Sequence, residues 1–177
     1  MKRHSKIVLS LATIACICAS CLKVPEPQYS PEIIFSQFYI NPVFSGDTLV
    51  GAQDSITKLQ YAEDYKSFKL DTINLGDTVW FAAAFLSFAN ELTSVQLDWE
   101  KDRLDLWCNL SDSLKTILNS QSDTTACKLV FKPGYNEVAF DVCFSPLTKG
   151  TTTLRLTVTS DSEFSPNYRK FYIPVKE

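Results

Sequence analysis

The sequence predicts an all-β fold, a sandwich of about seven strands with a short helical insertion near residues 104–119. Three observations carry this. Apolar and polar residues alternate strictly in several segments: Val95, Leu97 and Trp99 share one side, while Gln96, Asp98 and Glu100 share the other. One run, Thr78 to Phe88, is apolar almost throughout, as a strand covered on both faces requires. Turn-forming clusters such as Asn41-Pro42, Ser45-Gly46-Asp47, Leu75-Gly76-Asp77 and Ala89-Asn90-Glu91 separate these segments at short intervals.

Taken in order, Ile33 to Ile40 is rich in Ile, Phe and Tyr and reads as the first strand. Residues 47–68, with Gly51 and several charges, predict an irregular or edge segment. Lys69 to Asn74 is a short strand, and Thr78 to Phe88 and Thr93 to Glu100 are long ones. Glu137 to Phe144 turns Val138, Phe140, Val142 and Phe144 inward. Thr151 to Thr159 does so with Leu154, Leu156 and Val158, and Arg169 to Val175 with Phe171, Ile173 and Val175. Pairing Phe131 with Val138 and Leu129 with Phe140 makes a hairpin around Pro133-Gly134-Tyr135-Asn136. That register turns Cys127 to the core and Cys143 away from it. Between these strands, Leu104, Trp107, Leu110, Leu114, Ile117 and Leu118 recur at three and four residues, and Asn109, Ser111 or Asp112 can cap a helix. The spacing predicts one or two helical turns whose apolar stripe packs on the sandwich.

The N-terminus has a different construction. Lys2, Arg3 and Lys6 precede a short apolar run from Ile7 to Ala19, and Ala19-Ser20 supplies small residues directly before Cys21. This is secretory signal architecture, too short and wrongly flanked for a membrane span. Ile17-Cys18-Ala19-Ser20-Cys21 resembles the lipobox of bacterial lipoproteins, although Cys18 stands where leucine is usual. The resemblance implies cleavage before Cys21 and lipidation of that cysteine, an anchor made effectively permanent by about 0.8 kcal/mol per buried methylene. Pro25, Pro27 and Pro31 then stiffen a spacer. The expected organisation is a signal peptide over 1–20, a lipidated tether over 21–31 and a folded domain over 32–177.

Losing Lys2, Arg3 and Lys6 from 17 basic residues leaves 14 against 20 acidic, a net charge of −6. That balance argues against nucleic acid as a partner. The only histidine, His4, leaves with the signal peptide. Imidazole-dependent triads and histidine zinc sites are thereby excluded from the mature chain. Cys108, Cys127 and Cys143 remain in the domain, at spacings that match no metal motif, and no cofactor is expected. The hairpin register separates Cys127 from Cys143. The candidate disulfide is Cys108 with Cys143, formed if the insertion folds over the outer face.

Trp107, placed by this reading outside the strands, is the candidate ligand-binding residue, set against a packing role for the same side chain. Asp98, Glu100, Asp102 and Asp105 form an acidic cluster, interleaved with Lys101 and Arg103 on a solvated face. A carboxylate-based hydrolase or a calcium site there is disfavoured.

The strand pattern resembles an immunoglobulin-like domain over most of residues 69–177. Trp99 stands on the third main strand, where that family often buries a tryptophan. The strand from Leu154 to Val158 carries no cysteine, so the family's usual inter-sheet disulfide is absent. The whole chain resembles small lipoproteins of Bacteroides-type bacteria, many of which join a lipobox to such a domain. Six sites read Asp, then Ser or Thr, then an aliphatic residue or Thr: Thr48, Ser55, Thr72, Thr78, Ser113 and Thr124. They resemble the O-glycosylation signal of secreted proteins in those bacteria, with Thr48, Ser55 and Thr124 expected in loops. Together these features lead us to expect a non-catalytic outer-membrane lipoprotein, held at the membrane through the Cys21 lipid. It would act as a binding or assembly module for an envelope protein or a glycan. The alternative is a glycan-binding accessory lipoprotein of a polysaccharide uptake system. The side of the membrane it faces stays open.

Overall fold

The computed structural model describes residues 28–57 and 59–177. Cys21 and the signal segment lie outside them. The strands are β1 (Glu32–Phe35), β2 (Phe38–Ser45), β3 (Thr48–Ile56), β4 (Gln60–Tyr61), β5 (Ser67–Lys69), β6 (Ile73–Asn74), β7 (Val79–Leu86), β8 (Leu92–Trp99) and β9 (Leu104–Asn109). After helix α1 (Asp112–Ile117) come β10 (Lys128–Val130), β11 (Glu137–Pro146), β12 (Gly150–Ser160) and β13 (Asn167–Lys176).

Two sheets face each other. The first runs β3-β2-β7-β11-β9, with β1 also on β7, and the second runs β10-β8-β12-β13-β5-β4, with β6 on β13. The order β1/β2-β7-β11-β9 against β8-β12-β13 is the A-B-E-D against C-F-G arrangement of an immunoglobulin-like sandwich. Parallel pairing of β5 and β6 with β13 widens the second sheet. The inward residues of each long strand make the core. Phe38, Phe81, Phe85, Phe144 and Phe171 are fully buried. The Phe38 ring lies 4.4 Å from that of Phe81 and 5.3 Å from that of Phe171, joining the sheets through aromatic contact. Trp99, at the end of β8, is half-buried against this core, with the Lys101 ammonium 5.3 Å from its ring.

Three expectations are corrected. The first strand is two: Ser36 interrupts it, donating its N–H to the carbonyl of Ala82 and accepting the Ala82 N–H on its hydroxyl. Residues 48–56 form β3, within the segment expected to be irregular or at an edge, and β3 is an edge strand whose pairing with β2 shifts register between Val43 and Phe44. Residues 104–109 are strand, not helix, because Leu104, Leu106 and Cys108 alternate inward on β9; the helical insertion shrinks to α1, capped by the Ser111 hydroxyl. Finally, β10 pairs with β8, not β11, so residues 131–136 cross between sheets instead of closing a hairpin. The inward positions are unchanged, since strands of both sheets turn the same faces to one core.

The body also begins earlier than residue 32. The Tyr29 N–H donates to Asn90 Oδ1, Asn167 Nδ2 donates to the Pro31 carbonyl at 2.7 Å, and Tyr29 packs edge-on against Phe88.

Candidate functional site

An outer sheet face of a sandwich is ordinarily solvated. Here β2 and β3 fold back over the outer face of the first sheet as a flap. Asn41 redirects the chain. Its φ of 50° is left-handed, a conformation asparagine tolerates better than most residues. Its side chain fixes the bend: Oδ1 accepts the Thr78 N–H at 2.9 Å, and Nδ2 donates to Asp77 Oδ1 at 3.0 Å and to Gln53 at 2.8 Å. The buried Asp77 carboxylate also accepts from the backbone and side chain of Asn74. Beyond Pro42 the strands pair out to a two-residue turn, Gly46-Asp47, where Gly46 supplies a φ of +59°. Phe44 reaches the ring of Trp80 at 5.8 Å, and Tyr39 meets the same indole at 5.5 Å.

Under the flap tip lies an open cleft of about 1120 Å³. Ala139 and Asp141 of β11 form its floor. Phe44, Gly46 and Asp47 make one wall, and the segment from Cys108 to Lys115 makes the other with Thr124 and Thr125. A second hollow of about 430 Å³ adjoins it, bounded by Asn41, Phe44, Trp107, Asn109 and Cys143. Burial holds the Asp141 carboxyl above its ordinary range. Nearby, the Trp80 indole Nε1 is buried without a hydrogen-bond partner. Burial also pushes the Cys143 thiol up to about 12, with the Asp141 charge adding to it. The cleft therefore presents a desolvated carboxyl and the Phe44 ring, with the Trp80 indole sealed behind that ring. Lys115 is engaged by Asp112 at 3.0 Å. Among the described residues no cluster of three metal-ligating side chains exists.

Trp107 lies on β9 and not outside the strands. Opposite Cys143, it points to the outer face and is 38% exposed at the mouth of the second hollow. Cys108 is the neighbour that alternates inward, so the expected Cys108–Cys143 bridge would have to pass through the sheet. Cys108 instead meets Cys127, Sγ to Sγ at 2.8 Å. Thr124 is an exposed turn residue at the cleft. Thr48 and Ser55 lie at opposite ends of β3, an edge strand and not a loop. Asp98, Asp102 and Asp105 are exposed on other parts of the surface. Sequence reasoning missed Phe44 and Asp141 and the role of Asn41, while Trp80, with Trp107, is an aromatic it offers for stacking on a sugar. Asp141 occupies an outward position between inward residues, which reads as solvated until the flap is seen. The Asn41-Pro42 pair was the one local signal of a redirected chain.

No protein-family model and no curated protein matches the sequence. Among solved structures the chain is similar to BslA, a bacterial hydrophobin, at 13% identity over 85% of this chain and 98% of that one, with a TM-score of 0.37. It is similar to the ASH/PapD-like domain 7 of human CEP192 at 13% identity over 77% of this chain and 99% of that one, TM-score 0.36. The cupredoxin domain of amoB from Nitrosocaldus yellowstonii aligns at 15% identity over 56% of each chain, TM-score 0.36.

Proposed function

We propose that this is a non-catalytic, lipid-anchored cell-envelope protein acting as a binding module, and that the cleft beneath the β2–β3 flap is its recognition site. The observation that carries the reading is the covered outer face. A desolvated Asp141 lines an open cleft, with Trp107 half-exposed beside it. A desolvated carboxyl in an open hollow suits a polar ligand that hydrogen-bonds to it. The anchor rests on the Cys21 sequence context. The nine-residue edge strand β3 lacks Lys and Pro and leaves Val50 60% exposed, which suits an assembly role by strand addition. The glycan-binding alternative draws on Trp107 beside Asn109, an aromatic face next to an amide. The rings around Trp80 are tilted 47° and 74° and form no planar platform. Thr124 lines the cleft, so O-glycosylation there would narrow access to it.

Cys21→Ala is expected to move the full chain from the membrane fraction to the soluble one; a membrane-bound, lipid-labelled variant would refute the anchor. The soluble variant is then screened against a glycan panel and envelope extracts. Binding should weaken on adding Trp107→Ala or Asp141→Asn. Undiminished binding in both would move the site to the β3 edge, and turnover of any substrate would overturn the non-catalytic reading.

A further inference from the structure

Cys108 and Cys127 come from different sheets. Cys108 is on β9, the edge of the first sheet, and turns inward beside Val142. Cys127 directly precedes β10, the edge of the second sheet, and its carbonyl accepts the Leu97 N–H, which continues the β10–β8 register. A tight turn holds it there. Asp123 and Lys128 exchange backbone hydrogen bonds, Asp123 Oδ1 accepts from the N–H groups of Thr125 and Ala126, and Cys127 is forced to a φ of 46°. Cys127 is 1% exposed, and its sulfur rests 2.8 Å from that of Cys108, well inside the contact distance of two non-bonded sulfurs. Closing to a covalent bond of about 2.05 Å needs less than an ångström of movement. Cys143 lies on the opposite face of β11 and is excluded from the pair.

We propose that Cys108 and Cys127 form a disulfide that staples the β9 edge of one sheet to the β10 edge of the other. In the reaction the two thiols together lose two protons and two electrons, and one S–S bond forms. The oxidant is a disulfide donor of the glutathione or protein-disulfide class: its own S–S bond breaks and it leaves as two thiols. The Cys108 S–H donates to the Cys127 sulfur and holds that thiol below its ordinary value, which favours Cys127 as the attacking thiolate. The bridge closes a loop over residues 109–126. That segment carries α1 and supplies one wall of the cleft, so oxidation fixes this wall to the second sheet.

The test is made on purified mature protein, and its outcome is independent of whether the chain is anchored by lipid. Protein reduced and then equilibrated with glutathione disulfide and glutathione, at the poise of an oxidising compartment, is acid-quenched, alkylated and mapped by mass. The expected product is about 2 Da lighter than the dithiol, with the Cys108 and Cys127 peptides joined and Cys143 alkylated after denaturation. Cys143→Ser should leave the bridge intact, and Cys108→Ser should leave Cys127 alkylated. Amide exchange across 109–126 should slow on oxidation. Recovery of both Cys108 and Cys127 as alkylated thiols under these conditions would overturn the proposal, as would a bridge to Cys143.

Discussion

On the outer face of the second sheet, the Arg155 guanidinium lies 4.3 Å from the centre of the Tyr168 ring, and the Lys66 ammonium lies 5.1 Å from it. Lys170 pairs with Tyr172 in the same way, and Gln96 and Asp98 are exposed beside them. The equivalent outward positions of the first sheet carry Trp80, Ala82, Ala84, Ala139, Asp141 and Cys143, and another layer of chain lies across part of them. Both faces follow from the same pleat. The second is finished by water, with tyrosines whose π-faces are already engaged by cations. The first is finished by the chain's own flap, which covers Trp80 and leaves a hollow where covering stops. A polar group on the watered face costs nothing to keep, whereas Asp141 is desolvated and the Trp80 N–H has no partner, and the proposed binding site lies on that side.

The largest way to break this contrast is to remove the flap's anchor. Trp80 is 9% exposed, and Trp80→Ala should cost about 3–5 kcal/mol in denaturant unfolding. Tyr168→Ala, its counterpart on the watered face, should cost below about 1 kcal/mol. Equal losses would show that the two faces are not differently built. Next is the hinge. Asn41→Ala loses the hydrogen bonds to Asp77, Thr78 and Gln53 and strains a left-handed position, for about 1–3 kcal/mol. Asn41→Gly relieves the strain and should recover part of that. Amide exchange should rise across 43–52 in both variants, while exchange in β12 stays unchanged.

A smaller effect sharpens the electrostatic half of the comparison. The Asp141 carboxyl is held above its ordinary value of 3.8, first by desolvation. The folded state then binds the proton more tightly than the unfolded chain. The stability this contributes is full below the unfolded value and is lost as pH rises from there through the raised folded value. Asp141→Asn should flatten stability across that window and stabilise the protein at neutral pH. A variant less stable than wild type at pH 7 would mean that the carboxylate is held by partners instead of being desolvated.

Much of the sandwich was legible before any coordinates. Val95 and Leu97, Val138 to Phe144, Leu154 to Val158 and Phe171 to Val175 declare their inward sides through a period of two, which each strand carries within itself. Even the segment read as helix contained the strand signal: Leu104, Leu106 and Cys108 alternate, but Trp107, Leu110 and Leu114 also fall at helical spacing, and six residues cannot separate the two periods. Partner choice was not legible in the same way. Leu129 and Phe131 turn inward whether β10 joins β11 as a hairpin or β8 across the core, because strands of both sheets share one interior. The cysteine pairing depended on that choice, since Cys127 meets Cys108 only once β10 belongs to the second sheet. The flap is a matter of tertiary structure as well. Phe44, Val50 and Asp141 have the composition of an ordinary edge and an ordinary solvated face. Only the Asn41 bend, fixed by hydrogen bonds to Asp77 and Thr78 some 36 and 37 residues away in the chain, brings them together over Trp80. A strand's alternation is written in neighbouring residues, whereas the surface it meets is settled by long-range competition among strands that all look alike from within.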